Sequence, residues 1–278
     1  MTFGVSMGKG ASPARWSRPR FIKRGTGTWY RKYQSLKFLV TRDRDEVARF
    51  LRASYPFDFP LRERLRFLAD ITKTTNAVRG YHTLEEILRV CHHIFLCAGR
   101  DDLTVVECGA GSGSSTAKLS LATKIAGGRL VVFDSFQGIP ENDEQHHLLD
   151  GRELVFRRGA FKGRLTAVKK RVAEFGAPEL CSFHKGLFAE TLSAFDGHVD
   201  VALFDVDLIS STEQCTSHFY PRLREGGAIF SQDGHLRATV DLYERRDYWA
   251  GLPSPPPKID GLGTGKMLRL TKPAQGAS

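Results

Sequence analysis

The stretch LTVVECGAGSGSS at residues 103–115, followed by RLVVFDSFQGIP at 129–140, decides the fold. Residues 103–108 form a short apolar run bounded by turn formers, which reads as a buried strand. Gly109, Gly111 and Gly113 then alternate, allowing a tight bend and close backbone approach to a ligand. Helical spacing over 115–125 follows, so a helix N-terminus aims its free N–H groups at the same point. A second apolar run at 129–133 ends in Asp134, which can accept both hydroxyls of a ribose. Bend, helix end and acid, in this order, point to a nucleoside ligand. The plain alternative is an ordinary strand–helix turn.

Outward from this stretch the alternation continues. Strands are expected at 180–184, 199–204 and 228–231, the last after a turn at Gly226-Gly227. Helices are expected at 165–175, 188–195, 212–223 and 238–249, with an edge strand at 266–270. This is an α/β pattern, a doubly wound and mostly parallel sheet with helices on both faces. Upstream, Leu84, Ile87, Leu88, Cys91, Ile94, Phe95 and Ala98 mark the apolar face of a helix, with Thr83 placed to cap it. The expected organisation is a basic flexible arm at 1–30, a helical extension or lid at 31–80, the main domain at 81–272 and a short tail at 273–278.

The 278 residues carry 41 Lys and Arg against 31 Asp and Glu, a net charge of +10. A chain of this size builds its core without disulfides or structural metal. The five cysteines are odd in number and lack paired spacing, which argues against a disulfide framework. Cys91, His92, His93 and Cys97 read as buried helix residues rather than zinc ligands, because no second ligand pair follows. No run is apolar and long enough to span a bilayer, and the N-terminal charges precede no apolar signal core. A cytoplasmic location and no membrane partner are expected. The basic arm could touch nucleic acid or an acidic partner, or be a solvated tail.

A dinucleotide fingerprint would need glycine at 114, where Ser114 stands. The pattern E-x-G-x-G-x-G over 107–113 instead resembles motif I of class I methyltransferases, whose cofactor is S-adenosylmethionine (SAM). The resemblance implies that Glu107 holds the methionine ammonium, directly or through water. An ammonium cannot be served by N–H donors, so a carboxylate makes electrostatic sense there. Gly109, Gly111, Gly113 and Ser114 would cradle the cofactor. Ser135 and Phe136, beside Asp134, and Leu187, after the third strand, would flank the adenine.

After the fourth strand comes Asp205-Val206-Asp207, and after the fifth Gln232-Asp233-Gly234-His235. These strands are neighbours in a doubly wound sheet, so Asp205 and Asp233 should meet at its carboxyl edge. Two carboxylates there repel unless a cation or proton lies between them. Mg²⁺ suits such oxygen ligands, with Gln232 as a third. Asp207 and His235 are candidate general bases, although Asp207 could equally cap the next helix.

Here the chain resembles the macrocin O-methyltransferase (TylF-like) family over residues 75–233. The resemblance is carried by VECGAGSGSS (106–115), FDSFQGIP (133–140), GLFAETL (186–192), FDVDLISST (204–212) and YPRLREGGAIFSQD (220–233). It implies Mg²⁺-dependent methylation of a hydroxyl on a small-molecule acceptor, a natural-product sugar above all. Asp205 would then be both a metal ligand and a neighbour of the cofactor. Gln232 departs from the family's acid pair, so the site carries one charge fewer. The family also implies that Thr75, Tyr81 and His82 fold over the cofactor, the alternative being an ordinary helix–helix loop. His146 and His147 fall where the family builds its acceptor pocket. Two other readings remain: an RNA methyltransferase using the basic arm, and a non-catalytic SAM-binding partner protein. The sequence D-V-D-L at 205–208 is hostile to a phosphate backbone, so nucleic acid is not expected. A homo-oligomer is left open.

Overall fold

The computed structural model describes residues 44–273; the basic arm, the start of the helical extension and the last five residues lie outside them. Three helices come first: α1 (Arg44–Arg52), α2 (Leu61–Ala77) and α3 (Leu84–Leu96). Thr83 caps α3 in a reciprocal box with Glu86, and Ile87, Leu88, Cys91, Ile94 and Phe95 are buried, as the apolar periodicity requires. Then follow β1 (Thr104–Cys108), α4 (Ser114–Ala126), β2 (Arg129–Asp134), β3 (His146–His147), β4 (Glu153–Leu154), α5 (Leu165–Phe175) and β5 (Cys181–Lys185). The chain ends with α6 (Phe188–Thr191), β6 (Val199–Phe204), α7 (Ile209–Phe219), β7 (Leu223–Ser231), α8 (Arg237–Glu244), α9 (Arg246–Ala250), β8 (Lys258–Asp260) and β9 (Leu268–Thr271).

The main sheet has seven strands in the order β5-β2-β1-β6-β7-β9-β8. All pairings from β5 to β7 are parallel, while β9 runs antiparallel to both its neighbours. The chain winds outward from β1 through β2 to β5 and then returns to place β6 on the other side of β1. That reversal makes Cys108 and Phe204 register partners and opens a crevice beyond their carboxyl ends, where ligands bind in such sheets.

Strand side chains alternate between two apolar clusters, as a period of two dictates. Val105, Leu130, Val132, Val201 and Leu203 join Phe50, Phe67, Ile87 and Phe95 on one face. Val106, Cys108, Phe133, Ala202 and Phe204 join Phe219, Tyr220 and Trp249 on the other. At the amino edge the fully buried Asp200 accepts from Thr104 N–H at 2.9 Å, Arg100 at 2.9 Å and Arg224 at 2.8 Å. One carboxylate thus ties β1, β6 and β7 together.

Four expectations are corrected. The fifth strand begins at Leu223, not 228, because Gly226 and Gly227 sit inside it as an irregularity rather than a turn; a Cβ on Gly227 would lie 2.6 Å from Asp200 O. The last strand is interior: β8 folds back as a hairpin partner and takes the edge. The helix expected over 238–249 breaks at Arg245, whose ψ of 114° is extended. Helix α7 starts at Ile209 because Glu144, from a distant loop, accepts from Ile209 N–H at 2.7 Å and Ser210 N–H at 3.1 Å. Asp207 is therefore not its cap. No helix among the described residues is long and apolar enough to cross a membrane.

Candidate active site

The glycine bend joins the two strand ends at the crevice. Gly109 has φ +90°, and a Cβ there would lie 2.0 Å from Asp205 O. The glycine is needed so that two strand ends can touch; the sequence reading had given it to ligand approach. Asp134 accepts from Ala110 N–H at 2.7 Å, Gly111 N–H at 3.1 Å and Phe136 N–H at 2.5 Å, which fixes the bend. A carboxylate offers about four acceptor positions, so one remains for a ribose hydroxyl. Asp134, Ser135 and Leu187 border a cavity of about 170 Å³. Phe136 does not. It turns into the core at φ 54°, is 3% exposed and packs 6.2 Å from the Phe183 ring.

Glu107 is fully buried on the face toward α4, with the Ser115 and Thr116 hydroxyls beside it but no well-formed hydrogen bond to either of its oxygens. Burial pushes its carboxyl up to about 8; Ser115 and Thr116 pull the other way, while Asp134 and Asp205 add repulsion. A buried carboxylate without a well-formed hydrogen bond is costly, and a cation would relieve it. Glu107 does not border the larger cavity, of about 630 Å³, but Ser114, Ser115, Gly111, Tyr81 and His82 do. Ser115, which borders that cavity, stands next to Glu107. Thr75 is corrected: it lies within α2, exposed, with its hydroxyl donating to Ile71 O at 2.9 Å. Helix α2 runs on to Ala77, and among the described residues before α3 it is Gly80, Tyr81 and His82 that border the cavity.

Both cavities share Asp205 and Asp207 in their walls. Asp205, Asp207 and Asp233 each bring a carboxylate oxygen within 4.8 Å of the others, the one candidate cation-binding group of its kind among the described residues. Val206 and Asp207 wrap their N–H groups around Asp233 Oδ2 at 3.2 and 3.3 Å, which places Asp207 at φ 63°, a region Asp tolerates better than most residues. Asp233 Oδ1 is buried without a partner. Burial and the neighbouring acids push Asp207 up to about 9 and, with Asp205 as the main neighbour, Asp233 up to about 7, while Lys266 opposes both shifts. Burial also raises Asp205. An orphaned oxygen and three mutually repelling acids fit a hard divalent cation such as Mg²⁺. Gln232 is not part of this group: its Oε1 accepts from Lys266 at 3.3 Å, and it borders neither cavity. Asp207 stands where the sequence reading placed Gln232.

His235 borders the larger cavity with its Nδ1 3.2 Å from Gln232 O; burial and Lys266 push it down to about 4. The β3–β4 ribbon and the loop after it supply the apolar wall: Leu148, Leu149, Leu154, Phe156 and Phe161. His146 is instead buried against Phe156 at 4.9 Å and lies 3.2 Å from Glu144. The Tyr81 and Phe161 rings meet edge-on at 4.8 Å. Sequence reasoning missed Lys266, Phe161 and the ribbon wall. It also missed Lys118, buried behind His82. Cys91 and Cys97 are buried in and beside α3, while His92 pairs with Tyr55 OH at 2.8 Å and His93 with Gly226 O at 3.2 Å.

The profile of the Macrocin-O-methyltransferase (TylF) family matches residues 38–264. A curated relative, the 8-demethyl-8-(2,3-dimethoxy-alpha-L-rhamnosyl)-tetracenomycin-C 4'-O-methyltransferase of Streptomyces olivaceus, is 30% identical over 182 residues, covering 61% of this chain and 69% of the relative. Among solved structures, the O-methyltransferase NovP superposes with a TM-score of 0.53 at 22% identity, covering 68% of this chain and 78% of its own. The calicheamicin methyltransferase CalS11 gives 0.52 at 15% identity, covering 81% and 97%. Both likenesses establish the fold.

Proposed function

Since this chain belongs to the macrocin O-methyltransferase family and is a SAM-dependent methyltransferase, we propose that it methylates a hydroxyl, a sugar hydroxyl first of all, on a small natural-product acceptor. The observation that carries this reading is the convergence of Asp205, Asp207 and Asp233 where the cofactor bend meets an apolar cavity. The relative from Streptomyces olivaceus, which by its name acts on a rhamnosyl tetracenomycin, supports the acceptor class.

SAM supplies an electrophilic methyl group, and Mg²⁺ held by the three aspartates would supply the charge that acidifies a hydroxyl. Glu107 and Asp134 flank the bend and orient the ammonium and ribose ends of the cofactor. Leu148, Leu154, Phe156 and Phe161 exclude water from the acceptor side. Asp207, which lies in the cavity wall beside the other two acids, is placed to take the hydroxyl proton on its carboxylate. His235, neutral at physiological pH, orients that hydroxyl. Positioning supplies most of the rate. An acidic floor repels phosphate, which disfavours the RNA reading.

The test is turnover with SAM and a panel of hydroxylated glycosides, phenols and RNA, assayed in EDTA and after Mg²⁺ is restored. Methylated glycoside, lost in EDTA and recovered with Mg²⁺, is expected. Methylation of RNA alone would overturn the acceptor class. Turnover indifferent to EDTA would remove the metal.

A further inference from the structure

Behind the wall of the larger cavity lies a cation that the proposed chemistry does not use. Lys118, on α4, is 1% exposed. Its Nζ donates to His82 Nε2 at 2.7 Å and to Ser114 Oγ at 3.2 Å. Among the described residues it makes no ion pair, and the Cys91 thiol on α3 is the titratable group that acts on it electrostatically. His82 and Ser114 both border the cavity, on the side where the glycine bend begins.

A buried ammonium with only neutral partners is expensive, and long cationic side chains are almost never fully buried unless paired. Here burial pushes Lys118 down to about 7. Its partners also point the charge. Donation to Nε2 leaves the neutral His82 ring with its proton on Nδ1, and donation to Ser114 leaves that hydroxyl as a donor, here over a long 3.4 Å to Val78 O, that a charged acceptor can draw away. Two donors polarised by one cation thus sit at the cavity wall. Glu107, a buried acid on β1, lies behind Ser115, the neighbour of Ser114 in the same wall. The two groups are opposite in sign, and both are left near neutrality by burial. The cofactor's amino-acid end is a zwitterion, an ammonium and a carboxylate on one carbon. Glu107 answers the first charge, and the N–H groups at the start of α4 are the neutral donors the sequence offers for the second.

We propose that Lys118, acting through His82 and Ser114, is the positioning residue for the carboxylate of the cofactor's methionine moiety. This rests on the SAM reading above. The cation stays behind the wall and lends charge to two donors that touch the ligand.

The experiment compares S-adenosylhomocysteine with its decarboxylated amine, which keeps the ammonium and adenosine but lacks the carboxylate. Titration calorimetry on the full chain should give the wild type a preference of roughly tenfold or more for the carboxylated ligand, the range of a charge-assisted hydrogen bond. Lys118→Met should abolish the preference while binding the amine as the wild type does, and His82→Ala should reduce it. A purely structural Lys118 would weaken both ligands equally, and that outcome refutes the proposal. Should Lys118→Met not fold, the wild type and His82→Ala still decide: equal affinity of the wild type for both ligands refutes it. Failure of the wild type to bind either ligand would instead sink the SAM reading itself.

Discussion

Glu107→Gln should make the protein more stable and less able to bind its cofactor. The carboxyl of Glu107 rises from an ordinary value of 4.5 to about 8 in the fold, because burial outweighs the pull of the Ser115 and Thr116 hydroxyls beside it. The folded state therefore holds a proton that the unfolded chain releases above pH 4.5. Stability is lost as pH climbs from the unfolded value toward the folded one. At pH 7 the gap is worth about 3 kcal/mol. Glutamine has the shape of the protonated acid and never pays this cost, so the variant should unfold roughly 6–12 °C higher at pH 7. The difference should shrink to nothing near pH 4.5 and level off above pH 8. The same change removes the countercharge to the ammonium, so S-adenosylhomocysteine should bind on the order of tenfold to a hundredfold more weakly. Thermal unfolding of both proteins from pH 4.5 to 9, followed by calorimetric titration, reads both effects. Parallel stability curves across that range would refute the reasoning, because they would mean that Glu107 is ionised and satisfied in the fold.

Asp207→Asn should lower kcat by about 10²–10⁴-fold with little change in cofactor affinity, measured by initial rates and calorimetry, because it removes the proton acceptor and leaves the bend intact. Gly109→Ala should cost more than about 3 kcal/mol in denaturant unfolding, because its Cβ has no room beside the Asp205 carbonyl at 2.0 Å and the residue sits at φ +90°. Asp200→Asn should cost about 3 kcal/mol by leaving Arg100 and Arg224 without their buried partner, while the KM for SAM stays unchanged in the surviving folded protein.

What was legible in the sequence followed from local rules. The apolar runs ending at Cys108, Asp134 and Phe204 became β1, β2 and β6 because a strand buried on both faces must be apolar throughout. The meeting of Asp205 with Asp233 followed from the winding of the chain alone. What stayed hidden depends on distant partners. Glu144 caps α7 from 65 residues away, which no window on 205–212 contains. Phe136 looked like an adenine contact by its place beside Asp134, but its positive φ turns the ring into the core. Asp207 rather than Gln232 completes the acid cluster, because Lys266, from the loop just before β9, takes the amide oxygen of Gln232. Thr75 moved onto α2 because the helix runs a turn past the point where its composition suggested a loop.

Calorimetric titration of the purified chain with S-adenosylhomocysteine and, separately, with NAD asks whether the crevice between β1 and β6 is shaped for a sulfonium nucleoside. The account predicts one molecule of S-adenosylhomocysteine per chain at micromolar or tighter affinity and no heat from NAD. Binding of NAD, or silence toward both, would contradict it.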